Sequence, residues 1–260
     1  MDSDNRSDAE LLAVLHDAAD AVGASLSALS DWGLAGTVEW QYRHDLVADA
    51  AALEVLDAAG LAVVSEESGE HDVRERPGIV VVLDPVDGST NASRGIPWFN
   101  TSLCALDAQG ARAAVVANQA SGVRYEAVRG GGARRDGQPI GPSTCTELSE
   151  ALIGLNGYPP RHLGWKQYRA LGSAALDLCL VAAGVLDGYV DCTERGHAPW
   201  DYLGGMLVCR EAGALVDDAA GDDLVTARHA DRRTPIAAAT PALFTQLLEA
   251  RRMMGTSKSS

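Results

Sequence analysis

Apolar residues recur along this chain in two rhythms, and the changes of rhythm mark the elements. Leu11, Leu15, Ala18, Val22 and Leu26 return every three or four residues, the spacing of one helix face. A helix is predicted over residues 7 to 31. Ser7-Asp8-Ala9-Glu10 opens it as a capping box, in which Ser7 and Glu10 satisfy each other's free backbone donors. A second helix is predicted over 45 to 59, with Leu46, Ala50, Leu53 and Leu56 on one side and Gly60 as its stop. Asp45 then stands at its N-terminus, where a cap is the plainest role. The runs at 61–64 and 79–83 are short and rich in β-branched residues, as buried strands are. Those at 101–106, 113–117 and 123–128, separated by turn-forming segments, read as successive antiparallel strands.

The glycine-rich stretch Arg129 to Ala133 runs into a hairpin rather than a helix, so it reads as a tight turn with no nucleotide role. Beyond it the pattern predicts a strand at 151–155 and an apolar helix at 173–184 capped by Ser173. A strand at 186–191 and a helix at 199–212 follow. Strands at 214–216 and 236–239 and a last helix at 241–252 close the chain. The tail 255–260 reads as disordered. The class is α+β or α/β. An N-terminal half (1–142) and a C-terminal half (143–254) form one structural unit, with no internal repeat and no separating linker.

Charge narrows the partners. Asp and Glu number 36 against 21 Lys and Arg, a formal net charge of −15. A nucleic-acid surface needs a basic stripe, so no nucleic-acid partner is expected, and the acid excess serves solubility first. No apolar run reaches the roughly 18 residues of a membrane span, so no membrane partner is expected either. Met1-Asp2-Ser3-Asp4 is unlike a signal peptide. Cys104, Cys145, Cys179, Cys192 and Cys209 are scattered without CxxC spacing. That predicts free thiols in a reducing cytoplasm rather than a zinc site or disulfides.

The chemistry gathers at Leu83-Asp84-Pro85-Val86-Asp87-Gly88-Ser89-Thr90-Asn91, where two aspartates stand at the end of a buried strand. An unpaired buried carboxylate is costly, and a shared cation is the cheapest remedy. Asp45, Glu66-Glu67 and Asp201 also stand at element ends. Each alone reads as a cap or a solvated loop. Together they look like hard oxygen ligands delivered to one place. Carboxylate and carbonyl donors without His or Cys favour Mg²⁺, with Mn²⁺ a possible substitute. Gly88, Ser89 and Thr90 offer backbone N–H groups to an anion, and metals beside an anion cradle mean phosphate chemistry.

Asp84-Pro85-Val86-Asp87-Gly88-Ser89-Thr90-Asn91 resembles the first signature of the inositol monophosphatase family, DP(I/L/V)DG(T/S)xN. Trp200-Asp201-Tyr202-Leu203-Gly204-Gly205 with Glu211-Ala212-Gly213-Ala214 resembles its second, WDxAAG followed by EAGG. Ser65-Glu66-Glu67-Ser68 is similar to the family's GEES, and Asp45-Leu46-Val47 to its DxVT. The resemblance implies a layered αβαβα sandwich, usually a homodimer. It also implies a lithium-sensitive phosphomonoesterase using two to three Mg²⁺ per subunit. On it, Glu66, Asp84 and the Val86 carbonyl hold one metal, Asp84, Asp87 and Asp201 a second, and Glu66 bears on a third. Asp45 and Ser89 take the places of the pair that activates the attacking water, and the mechanism is direct attack of metal-activated water on phosphorus. Gly88, Ser89 and Thr90 grip the phosphate.

Substrate contacts are implied at Gly172-Ser173-Ala174, and an acid that meets the polyol at Asp191 or Glu194. The implied substrate is inositol monophosphate or a related small polyol phosphate. Histidinol phosphate is the main alternative. Fructose bisphosphate, a nucleotide 3′-phosphate and a non-catalytic regulatory role stand behind it. The chain departs from the pattern in places. Ser89 replaces the commoner Thr but keeps the hydroxyl. Ser65 replaces a Gly, and Leu203 is bulkier than usual. Extra residues before Trp200 carry Arg195 and His197, and His197 reads equally as a solvent-facing residue or a substrate contact.

Overall fold

The structure, a computed structural model, describes residues 6–36, 41–76 and 78–255. The acidic start Met1 to Asp4 and the tail beyond Gly255 lie outside the described residues. The first sheet holds β1 (Ala62–Ser65), β2 (Gly69–His71), β3 (Val80–Asp87), β4 (Asn100–Asp107), β5 (Gly110–Asn118), β6 (Arg124–Val128), β7 (Gly132–Arg135) and β8 (Gln138–Pro139). Its order is β2-β1-β3-β4-β5-β6-β7-β8. Only the β1–β3 pair is parallel. The second sheet holds β9 (Leu152–Asn156), β10 (Gln167–Arg169), β11 (Gly188–Asp191), β12 (Leu215–Asp218) and β13 (Pro235–Ala238), in the order β10-β9-β11-β13-β12.

Helices α1 (Asp8–Ala28) and α2 (Arg43–Ala58) cover the outer face of the first sheet. Between the sheets lie α4 (Ala174–Ala182) and α5 (Pro199–Ala212), and α6 (Pro241–Gly255) covers the far side of the second. A short α3 (Ser89–Arg94) follows β3. The layers run αβαβα, as the resemblance implies. Alternate residues of β1 and β3 serve different cores. Val63, Val81 and Leu83 pack towards α1 and α2, and Val64 and Val82 towards α4 and α5. Both faces are buried, which is why these strands read as unbroken apolar runs rather than alternations.

Several boundaries differ from the sequence pattern. The Ser7 capping box forms as predicted: the Ser7 amide donates to Glu10 Oε2 at 2.8 Å, and the Glu10 amide to Ser7 Oγ at 3.3 Å. The helix ends at Ala28, however, not 31. By length and mean hydropathy (1.2) α1 could cross a membrane, although no such run was expected. Its apolar face instead packs into the outer core through Leu11, Leu15, Ala18, Val22 and Leu26. Helix α2 starts two residues early, so Asp45 is its third residue rather than its cap, and it accepts from the Tyr42 amide at 3.0 Å. Strand β3 does not stop at Leu83 but continues to Asp87, with its register against β4 shifting between Asp84 and Asp87. Strands β2 and β10 are short and mostly polar and carry no periodic signal. The glycine-rich turn at 130–132 is filled from within: the Gly130 and Gly132 amides donate to the Glu211 carboxylate at 3.0 and 3.1 Å. Glu211 thereby acts as a tie between α5 and the β6–β7 hairpin.

Candidate active site

The site grows from the parallel pairing of β1 and β3. Ser65 lies opposite Leu83, so the next residues, Glu66 and Asp84, stand side by side at the end of that pairing. The Glu66 amide donates to the Leu83 carbonyl at 3.1 Å. The register shift in β3 then turns Asp84 and Asp87 to the same end of the sheet, a usual effect of a bulge. The Val86 amide donates to Asp84 Oδ1 at 3.0 Å. Gly88, at φ 89°, turns the chain into α3. The first amides of that helix have no acceptor within it. Asn91 Nδ2 donates to the carbonyls of Trp98 and Leu171, both at 2.8 Å, and so draws Gly172 against the turn.

Other elements deliver the remaining groups. Asp201 stands in the first turn of α5, its Oδ2 accepting from the Ala198 amide at 2.8 Å. Carboxylate oxygens of Glu66, Asp84 and Asp201 lie within 4.8 Å of one another. Asp87 Oδ2 accepts from Ser173 Oγ at 2.6 Å, Asn100 Nδ2 at 3.0 Å and the Ala175 amide at 3.1 Å. Ser89 Oγ lies 2.9 Å from Asp45 Oδ1 and 2.7 Å from the Val86 carbonyl. A serine has one proton and these are two acceptors, so the hydroxyl has a free choice of partner. Asp45, Glu66, Asp84, Val86, Asp87, Ser89 and Asp201 border one cleft of about 370 Å³.

The electrostatics are those of a dense acid cluster. None of the described cleft-lining residues is Lys, Arg or His. Asp84 is pushed well above the ordinary carboxylate range by burial, then by Glu66 and Asp87. Glu66 is raised too, by enclosure in the cleft and then by Asp201 and Glu67, although its outer edge is open to water. Burial lifts Asp45 to about 6, against the opposing hydrogen bonds from Tyr42 and Ser89. It lifts Asp87 to about 6 as well, against the opposing bond from Ser173. His44, beside Asp45, is pushed down to about 4 by burial and is neutral at pH 7. Oxygen donors only, convergent and carrying excess negative charge, fit a hard divalent cation.

That frustration predicts a pH dependence. Acids whose folded pKa lies above the unfolded value bind extra protons when folded, so they support stability below the unfolded value and lose that support as pH rises through the folded one. Metal-free protein is therefore expected to lose a few kcal/mol as pH rises from about 4 to beyond 6, and Mg²⁺ at pH 7 is expected to restore it. Melting temperature against pH, with and without Mg²⁺, measures this. A metal-free curve that rises over that window would contradict the assignment.

The cleft gathers Asp45, Glu66, Glu67, Asp84, Val86, Asp87, Gly88, Ser89, Thr90, Gly172 and Asp201, all expected there, and adds Tyr42 as a lining residue. Four expected substrate contacts are not part of its lining. Ser173 caps α4 through the Leu176 amide and donates to Asp87, so its hydroxyl serves the acid rather than a ligand. Ala174 is buried in the core between the sheets. Asp191 is fully buried, its Oδ1 accepting from Asn156 Nδ2 and from the Thr193 amide and hydroxyl. Glu194 is exposed and borders a neighbouring hollow with Arg251. His197 is neither solvent-facing nor beside the cleft opening. It is buried, with Nδ1 3.1 Å from Asp201 Oδ2. Asn100, just before the strand predicted at 101–106, had no local signal. The Ser65 departure is explained: its hydroxyl donates to Asp49 and accepts from the Glu67 amide at 3.3 Å, holding the turn that carries Glu66.

Comparison with known proteins agrees with this geometry. The profile of the inositol monophosphatase family matches residues 36–255. The fructose-1,6-bisphosphatase/inositol-1-monophosphatase of Archaeoglobus fulgidus is 36% identical over 211 residues, covering 79% of this chain and 81% of that one. The Nus factor SuhB of Escherichia coli is 31% identical over 231 residues, covering 81% and 80%. The solved inositol monophosphatase from Anabaena superposes with a TM-score of 0.78 at 26% identity, over 94% of this chain and 95% of that one. With the match running through both sheets and every element that borders the cleft, the chain belongs to the inositol monophosphatase family of phosphatases.

Proposed function

We propose that this chain is a Mg²⁺-dependent, lithium-sensitive phosphomonoesterase acting on inositol monophosphate or a related small polyol phosphate, as a homodimer in the cytoplasm. The observation that carries the reading is the convergence of Glu66, Asp84 and Asp201 with no cationic side chain along the described cleft lining, beside the Gly88–Thr90 turn. Glu66, Asp84 and the Val86 carbonyl are assigned to one cation, and Asp84, Asp87 and Asp201 to another, with Glu66 open to a third. When bound, the cations lower the pKa of water and neutralise charge on the phosphoryl group and leaving oxygen.

The protein's own groups do the rest. The Gly88, Ser89 and Thr90 amides are placed to hold phosphoryl oxygens. Ser89 Oγ, donating to Asp45, keeps a lone pair for a proton of the attacking water, and orients that water for in-line attack. Asp45, tuned to about 6, can take the proton passed through the hydroxyl near neutral pH. Asn100, Ser173 and the Ala175 amide hold Asp87 rigid, so no reorganisation is needed during reaction.

The name of the Archaeoglobus relative favours fructose 1,6-bisphosphate as a second substrate. Turnover of inositol 1-phosphate, fructose 1,6-bisphosphate, histidinol phosphate and a nucleotide 3′-phosphate with Mg²⁺ tests the reading. Inositol phosphate is expected to lead, and a clear preference for histidinol phosphate would replace it. Ser89→Ala is expected to lower kcat on the order of 10²-fold with little change in Mg²⁺ affinity. Near-normal turnover in that variant would remove Ser89 from the mechanism.

A further inference from the structure

We propose that His197 is a positioning residue for Asp201, with Tyr189 behind it fixing which carboxylate oxygen faces the cleft. The inference rests on the divalent-cation reading above. Asp201 Oδ2 accepts from the Ala198 amide at 2.8 Å and from His197 Nδ1 at 3.1 Å. The hydrogen bonds hold Oδ2 alone, which leaves the other oxygen for the cluster that Asp201 forms with Glu66 and Asp84. An ionised carboxylate only accepts, so Nδ1 carries a proton, and in the neutral ring, the form at pH 8, Nε2 is then an acceptor. The acceptor is met by the Tyr189 hydroxyl at 3.0 Å.

Nothing in this chain of contacts is free to swing. Tyr189 is fully buried on β11. The backbone of His197 is clamped to Arg233 from both sides: the His197 amide donates to the Arg233 carbonyl at 3.1 Å, and the Arg233 amide to the His197 carbonyl at 2.8 Å. Asp191 Oδ2, buried and without a hydrogen-bond partner among the described residues, stands 3.8 Å from His197 Nε2. Asp191, one of the two acids expected to meet the polyol, thus sits at the ring nitrogen opposite the one that faces Asp201.

Without His197, Asp201 Oδ2 keeps only the Ala198 amide and its carboxylate can rotate. Metal sites commonly use a carboxylate to orient a ligating histidine. Here the order is reversed, with tyrosine orienting histidine and histidine orienting the acid. The second sheet, through β11, thereby sets the angle of a ligand carried by the helix layer between the sheets.

The test is calorimetric titration of Mg²⁺ into the purified full chain at pH 8, with the metal-free melting temperature of each variant alongside. Asp201→Asn is expected to lose most of the affinity. His197→Phe keeps the volume and removes the donor, and is expected to weaken Mg²⁺ about 10-fold or more. His197→Asn, whose amide can reach the Nδ1 position, is expected to recover most of that loss. Tyr189→Phe removes one hydroxyl and is expected to weaken Mg²⁺ by a smaller factor. Mg²⁺ affinity within twofold of the parent in His197→Phe, even with a lowered melting temperature, overturns the inference, as does His197→Asn falling as far as His197→Phe. If His197→Phe does not fold, unchanged affinity in Tyr189→Phe overturns it. Unchanged affinity in Asp201→Asn overturns the cation reading instead.

Discussion

Asp84→Asn is expected to lower phosphatase activity by at least about 10³-fold, some 4 kcal/mol of lost transition-state stabilisation, and yet to raise the melting temperature of the metal-free protein. Asp84 is almost completely buried, and its ionised form is opposed by burial and then by Glu66, Asp87 and Asp201. The asparagine keeps an oxygen for the Val86 amide, which donates to Asp84 Oδ1 in the parent, and removes one charge from the cluster. Adding Mg²⁺ should invert the order of stability. A cation present at 100 times its dissociation constant stabilises the folded parent by about 2.7 kcal/mol, and the variant, short of a ligand shared by two cations, should gain far less. Melting curves at pH 8 with and without Mg²⁺, together with turnover, decide this. A variant less stable than the parent without metal, or one that keeps its activity, would refute the idea that Asp84 is held in a frustrated state for a cation.

Gly88→Ala is expected to reduce kcat/KM by about 10²-fold or more and to lower the melting temperature by roughly 5–10 °C. Two effects add. Gly88 sits at φ 89°, where an L side chain is strained by roughly 1–2 kcal/mol. A Cβ there would also meet the Trp98 carbonyl oxygen at 2.9 Å and the Gly172 carbonyl oxygen at 3.3 Å. Both neighbours are backbone, and Asn91 pins the Trp98 carbonyl, so the turn that presents the Ser89 and Thr90 amides has to move. Gly221 separates the two effects. Its φ is 88°, almost the same, but nothing lies within 4 Å of a Cβ built there. Gly221→Ala should lose stability through φ strain alone and leave turnover unchanged. Equal activity losses in both variants would show that the Gly88 turn is no cradle.

What local pattern could determine, it determined well. Periodicity placed α1, α4, α5 and the successive strands from β3 to β6, because a helix face or a buried strand writes its period directly into neighbouring residues. The acids at element ends announced a cluster of hard oxygen donors, because carboxylates without thiols or imidazoles are a distinctive donor set. The capping box at Ser7 and the turn at 130–132 were readable for the same reason: their partners or their steric needs are local.

Pairings between distant residues were not readable. The parallel register of β1 against β3 brings Glu66 beside Asp84, and no residue within either strand announces that neighbour. Ser173 reaches Asp87 across 86 positions and Ser89 reaches Asp45 across 44. From sequence, the serine of Gly172-Ser173-Ala174 looked like a ligand contact, whereas the fold spends its hydroxyl on an acid. Asp191 and His197 were misplaced for the same reason. Asp191 read as a polyol contact and His197 as a solvent-facing residue or a substrate contact, because burial is decided by what packs over them. Here an isolated backbone bridge to Arg233 clamps His197, and both residues are buried. Sequence alone thus determined the kinds of element and the kind of chemistry, since both are properties of neighbouring residues. Only the tertiary structure decided which acids share a cleft, which serve as supports, and which oxygen each presents, because those depend on distances that the order of residues does not contain.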